Sequence, residues 1–219
     1  MNFAFVFPGQ GSQSVGMMAA YGESTVIRQA FAEASEALGE DLWQMVADGP
    51  AEVLAQTVNT QPLMLTAGIA VYREWIARGG ALPSLVAGHS LGEYSALVAA
   101  GALDFQEAVK LVRLRAQAMQ EAVPQGEGAM AALLGLDEAA AVEACAEAAQ
   151  GEVVSAANLN SPGQIVIAGA RAAVERAMVA AKARGAKRAV LLPVSAPFHC
   201  ALMKPAAERL AQRLAEIEI

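Results

Sequence analysis

The sequence is poor in the residues that bind metals or staple small folds, with two cysteines and two histidines in 219 residues. Cys145 and Cys200 stand far apart, one in an Ala-rich helical pattern and the other beside His199, which gives neither a disulfide framework nor the paired spacing of a zinc site. Both are expected to be reduced thiols. Apolar stretches are broken by Gly, Pro or charge, and none approaches the roughly 20 residues needed to cross a bilayer. Residues 1–7 lack the basic start and long apolar run of a secretory signal, and Pro8-Gly9 cuts them short, so the expected location is cytoplasmic. Positive charge is scarce too: 15 Lys and Arg face 22 Asp and Glu, for a net charge of −7. No nucleic-acid-binding motif accompanies the basic residues, which argues against nucleic acid as the partner. What is abundant is hydrophobic residue, 55% of the chain. That is enough for one sizeable core, or a large core with a smaller lobe, and too much for a disordered chain.

The pattern along the chain is that of an α/β protein. Residues 3–7 form a short apolar run ended by Pro8-Gly9-Gln10-Gly11-Ser12-Gln13, which reads as a buried strand delivering a Gly-rich loop, with a helix expected to follow. Helical periodicity covers residues 24–38 and 62–77; Thr60 is placed to cap the second of these, with Pro62 in its first turn. Residues 85–87 suggest a second strand and 91–100 a helix behind it, and Asp104 caps a further helix to about residue 122. From Gly128 the predicted order becomes β-α-β-β-α-β, with Asn160-Ser161-Pro162-Gly163 as the hairpin turn. Such a split arrangement predicts a ferredoxin-like lobe over residues 125–192. The lobe is inserted into a larger α/β core made of residues 1–124 and 193–219.

The segment Gly88-His89-Ser90-Leu91-Gly92 places Gly-x-Ser-x-Gly between a predicted strand and a predicted helix. This is the pattern of a nucleophile elbow, in which two glycines permit a sharp turn and the serine is thrust out at a helix N-terminus; the alternative is an ordinary Gly-rich turn. A serine nucleophile needs a base. His89 adjoins Ser90 on an extended segment and so points to the other face, which leaves His199, in the irregular stretch Ser195-Ala196-Pro197-Phe198-His199-Cys200. A buried, merely hydrogen-bonded histidine is the other reading. No acid is placed to orient His199, so a Ser-His dyad held by a backbone carbonyl is the simpler expectation. Arg115 has apolar neighbours three and four residues away at Leu111, Val112, Ala118 and Met119. A charge there needs an anion, either a substrate carboxylate matched to its bidentate fork or an internal Asp or Glu. Arg113 reads as solvated. Leu91 supplies one oxyanion N–H by elbow geometry, and the Gly-rich loop offers a second at Gln10. That loop lacks the Lys and Ser/Thr ending of a phosphate-binding loop.

Taken together, Phe7-Pro8-Gly9-Gln10-Gly11-Ser12-Gln13, Thr60-Gln61-Pro62, Gly88-His89-Ser90-Leu91-Gly92-Glu93-Tyr94-Ser95-Ala96, Asn160-Ser161-Pro162-Gly163-Gln164 and Pro197-Phe198-His199-Cys200 resemble the bacterial malonyl-CoA:acyl carrier protein transacylases. The resemblance runs the length of the chain. It implies an α/β-hydrolase-like core with an inserted ferredoxin-like lobe, and a malonyl group passed from malonyl-CoA through Ser90 to the phosphopantetheine thiol of acyl carrier protein in fatty acid biosynthesis. On the same basis His199 is base then acid, Arg115 holds the malonyl carboxylate, Gln10 and Leu91 contact the oxyanion, Gln61 lines the pocket, and Phe198 beside the substrate α-carbon disfavours a methylmalonyl group. No cofactor is implied, malonyl-CoA being a substrate. Family members continue beyond the point where this sequence stops, with a segment that orients the base, so the core is expected to be incomplete at its C-terminus and these 219 residues alone impaired in stability or activity. The densest basic run includes Lys182, Arg184, Lys187 and Arg188, a docking patch for an acidic carrier protein or simply a solvated helix end. Rival readings are a serine esterase or thioesterase on the same scaffold and a non-catalytic carrier-protein-binding fragment.

Overall fold

A computed structural model describes residues 2–219. It is a mixed α/β structure that divides into two compact units, residues 2–117 with 212–219 and residues 118–211.

In the first unit, strands β1 (Ala4–Phe7) and β2 (Leu85–Gly88) pair in parallel, with Phe7 opposite Gly88. Phe5 and Phe7 project from β1 onto Tyr72, with ring centroids 5.4 and 6.3 Å apart. Helix α1 (Thr25–Leu38) is capped by the Ser24 hydroxyl, which accepts from the Ile27 N–H. It buries Ile27, Ala30, Phe31 and Ala34, one stripe at 3.6-residue spacing. Two short helices, α2 (Leu42–Asp48) and α3 (Ala51–Leu54), lead to α4 (Thr57–Ala77), whose first half is buried on almost every side. Helices α5 (Gly92–Ala99) and α6 (Phe105–Glu121) follow, and Asp104 caps α6 by accepting from the Glu107 N–H at 3.0 Å.

Two local expectations are corrected here. The helix anticipated straight after the Gly-rich loop is replaced by irregular chain and one 3₁₀ turn, Ala19–Tyr21, because Gly11 and Gly16 take positive φ and the Gly16 N–H bonds the Val46 carbonyl at 2.8 Å. Helix α4 begins at Thr57, so Thr60 lies within it rather than capping it. Thr60 Oγ1 instead donates to the Leu54 and Gln56 carbonyls, and the helix continues through Pro62. Pro62 is the sixth residue of the helix and has no N–H to give the Val58 carbonyl, so the helix forgoes one backbone bond there.

The second unit holds β3 (Gly128–Leu134), α7 (Glu138–Ala149), β4 (Val154–Ser161), β5 (Gln164–Ala170), α8 (Arg171–Ala183), β6 (Arg188–Leu191) and most of α9 (Lys204–Leu214). Its four strands lie in the order β4-β5-β3-β6 with every neighbouring pair antiparallel. Pro162-Gly163 makes the turn between β4 and β5, Gly163 taking φ 76. Alternation along β3 separates two cores, as period-2 geometry requires. Ala129, Ala131 and Leu133 meet the small residues of α7 and α8, Ala144, Cys145, Ala177 and Ala181 among them. Met130, with Val166 and Ala168 of β5, meets Met119, Val123, Ala196, Phe198, Met203 and Ala206. That second core draws residues 118–124 and 193–211 into the unit.

Candidate active site

β2 ends at Gly88 and α5 starts at Gly92, so Ser90 occupies the turn between them, at φ 53. Holding a side chain in this left-handed region costs about 1–2 kcal/mol. Among the described residues only Ser90, Gln150 and His199 combine a side chain with positive φ; Gln150 ends α7. The turn is closed by the Gly92 N–H on the His89 carbonyl at 2.8 Å and the Glu93 N–H on the Ser90 carbonyl at 3.2 Å. The His89 N–H ties it to the Phe7 carbonyl at 3.2 Å. Glycine is required at both ends of the motif: a Cβ on Gly88 would collide with the Gly92 backbone, and one on Gly92 with the carbonyl oxygens of Phe7 and Pro8.

Arg115, on α6, is 9% exposed. Its Nη1 donates to Gln61 Oε1 at 2.6 Å and its Nη2 to Ser90 Oγ at 3.1 Å, while its Cζ lies 5.6 Å from the Tyr94 ring centre. Among the described residues no ion pair includes it. Burial lowers the guanidinium's pKa, opposed by the nearby Tyr94 and Glu93; from so high an ordinary value the group keeps its charge. Burial likewise pushes the Tyr94 phenol up, opposed by Arg115, so Tyr94 stays neutral.

The solvated Arg113 expected from sequence is corrected. Its side chain is only 15% exposed, and Nη1 and Nη2 grip Glu40 Oε1 and Oε2 at 3.0 and 2.6 Å. The helix turns Arg113 to a carboxylate from the loop after α1, a partner 73 residues away that local spacing does not reveal. Of the two arginines, Arg113 has its anion within the chain, and among the described residues Nη1 and Nη2 of Arg115 meet amide and hydroxyl oxygens.

From Arg115 a line of hydrogen bonds runs onward. Gln61 Nε2 donates to Thr57 Oγ1 at 3.1 Å, and Thr57 Oγ1 donates to Gln10 Oε1 at 2.8 Å. The structure thus brings Gln10, Gln61, Ser90 and Arg115 together, and Leu91 is buried beside Ser90. Neither the Gln10 nor the Leu91 backbone N–H donates to a carbonyl among the described residues, which leaves both able to meet developing negative charge. Thr57 and Tyr94 were not singled out in the sequence. The one available signal for Thr57 was its position four residues before Gln61, a spacing that stacks side chains on a helix.

His199 and Phe198 lie in the second unit. His199 is exposed at φ 60, and Phe198 is buried against Ala196 and Met203. Next to them the Cys200 thiol donates to the Pro197 carbonyl at 3.1 Å, and burial raises its pKa. Of the basic run, Lys182, Lys187 and Arg188 are exposed, whereas Arg184 binds Glu147 at 2.6 Å and lies 3.8 Å from Glu143. Among the described residues no group of three or more His, Cys, Asp or Glu is placed to hold a metal, and no helix is long and apolar enough to cross a membrane.

Residues 4–219 match the family model of the acyl transferase domain. The chain belongs to that family. Among acyl transferase relatives, the malonyl CoA-acyl carrier protein transacylase of Escherichia coli K12 is 62% identical over 216 residues, 98% of this chain and 70% of the relative. The crystal structure of an acyl carrier protein S-malonyltransferase from Vibrio cholerae superposes with a TM-score of 0.96 at 61% identity, covering 100% of this chain and 72% of that one. A third acyl transferase, a malonyl-transacylase solved in complex with a type II polyketide acyl-carrier protein, gives a TM-score of 0.98 at 58% identity over 100% of this chain and 71% of its own.

Proposed function

We propose that the chain transfers a malonyl group from malonyl-CoA to the phosphopantetheine thiol of acyl carrier protein, through an ester on Ser90. The observation that carries this reading is the hydrogen bond between Arg115 and Ser90. A buried guanidinium with no carboxylate partner among the described residues stands 3.1 Å from the candidate attacking oxygen. In a malonyl ester one methylene separates the reacting carbonyl from a carboxylate, a reach suited to an anion site next to the nucleophile.

In the first half-reaction Ser90 Oγ attacks the thioester carbonyl, forming a C–O bond as its proton passes to His199. The backbone N–H groups of Gln10 and Leu91 stabilise the oxyanion. Collapse breaks the C–S bond, and His199 returns the proton to the departing CoA sulfur. In the second half the carrier-protein thiol gives its proton to His199 and attacks the ester; a new C–S bond forms, the C–O bond breaks, and Ser90 recovers its proton. No cofactor enters either half. Ser90 and His199 each take positive φ, and strain of this kind concentrates where function requires it. Arg115 selects malonyl over uncharged acyl groups, Gln61 lines the pocket beside it, and Phe198 disfavours a branched α-carbon. The carrier protein docks against the exposed cations Lys182, Lys187 and Arg188, whose charge suits an acidic partner.

The same proposal covers the finer architecture: an α/β-hydrolase-like core carrying Ser90, and a ferredoxin-like lobe over residues 125–192. The β-α-β-β-α-β order and the strand arrangement β4-β5-β3-β6 support the second of these. Intact-mass measurement after incubation with malonyl-CoA tests the function. A single malonyl adduct is expected on the wild type and none on Ser90→Ala; an adduct that persists in Ser90→Ala would assign the nucleophile elsewhere.

A further inference from the structure

We infer that Thr57 is a positioning residue that ties the oxyanion donor Gln10 to the anion anchor Arg115, through one hydroxyl that accepts from Gln61 and donates to Gln10. The inference rests on the roles proposed above for Gln10 and Arg115.

Direction at the Arg115 end of the line is set by charge. Arg115 is a donor only, so the atom of Gln61 that meets Nη1 at 2.6 Å must be the amide oxygen. A flipped Gln61 amide would set two donors against each other beside a buried cation. With Oε1 committed to Arg115, Nε2 is the end of the amide that faces Thr57 Oγ1, at 3.1 Å. The hydroxyl accepts there and has one proton left to give, which goes to Gln10 Oε1 at 2.8 Å. The amide of Gln10 is thereby fixed, and with it the stretch of Gly-rich loop that presents the Gln10 backbone N–H.

The surroundings make the arrangement hard to replace. Thr57 is 1% exposed and Gln61 2%, so water does not readily substitute for a lost hydroxyl at that end of the line, whereas Gln10 at the other end is exposed. Thr57 stands at the first position of α4 and Gln61 one turn later, which aligns the two side chains on one face. Helix α4 therefore carries both middle links, while the outer ones lie on the loop after β1 and on α6. A bound carboxylate that pulls on Arg115 acts along this line on the position of the oxyanion donor.

The test compares Thr57→Val, which removes the hydroxyl at nearly constant shape, with Thr57→Ser, which keeps it. Thr57→Val is expected to lower kcat for malonyl transfer about tenfold with a smaller change in KM, and Thr57→Ser to stay within about threefold of wild type. In an Arg115→Ala background the Val substitution should lose most of its effect, because the line no longer ends on the cation. A purely structural role would leave the same fold-loss in both backgrounds. Nitrogen-15 NMR reads the relay without turnover: Thr57→Val should shift the Gln10 backbone amide and the Arg115 guanidinium signals, and Thr57→Ser should leave both near their wild-type positions. Should Thr57→Val fail to fold, Thr57→Ala provides the same comparison. Equal behaviour of the Val and Ser variants in NMR overturns the inference, whereas absence of a malonyl adduct on the wild type overturns the proposed function and leaves the NMR result to decide the relay.

Discussion

Arg115 and Gln61 meet through a 2.6 Å hydrogen bond from Nη1 to Oε1, both side chains being buried. The amide oxygen satisfies one arm of the guanidinium without neutralising it, which keeps a full positive charge available beside Ser90. An Asp or Glu in the place of Gln61 would have cancelled that charge and removed the reason for an acidic acyl group to bind.

Replacing the cation should therefore change selectivity more than it changes the chemistry. Arg115→Ala is expected to lower kcat/KM for malonyl-CoA by about a hundredfold, the worth of a charge-assisted hydrogen bond in a desolvated site. Activity with acetyl-CoA should fall far less. Arg115→Lys should not restore malonyl selectivity, because a single ammonium cannot hold Gln61, Ser90 and a carboxylate in the geometry of a planar fork. Steady-state kinetics with the two thioesters check this, and an equal loss for both would contradict it.

The elbow makes a prediction about stability. A methyl group on Gly92 meets the carbonyl oxygens of Phe7 and Pro8, backbone atoms at the end of β1 and the start of the loop that carries Gln10. Gly92→Ala should cost about 3 kcal/mol or more, since the strain cannot be relieved by moving a flexible side chain. Urea unfolding followed by circular dichroism measures it; an unchanged midpoint would show that β1 and the elbow can separate without penalty.

The basic run on the second unit divides into committed and uncommitted charges. Arg184 already binds Glu147, whereas Lys187 and Arg188 are exposed. Reversing the charge at Lys187 and Arg188 together should raise KM for carrier protein several-fold, more at low salt than at high. Hydrolysis of malonyl-CoA should not change. Unaltered kinetics with carrier protein would place the docking surface elsewhere.

How far the sequence could be read depended on whether the deciding contact was local. The elbow was legible because two glycines and a serine between a strand and a helix specify one turn, and the structure puts Ser90 there at φ 53. Burial of Arg115 was legible because its helical neighbours are apolar. The α1 stripe, the Asp104 cap and the β-α-β-β-α-β order were likewise set by spacing, as repeats of two and 3.6 residues leave few alternatives. Tertiary structure decided the rest. It gave Arg113 to Glu40 across 73 residues, moved the start of α4 back to Thr57, and joined Gln10, Thr57 and Gln61 into one line ending at Arg115. A periodic pattern states which face a residue occupies, but hydrogen-bond partners from distant segments are chosen only when the chain packs and each buried donor must find an acceptor.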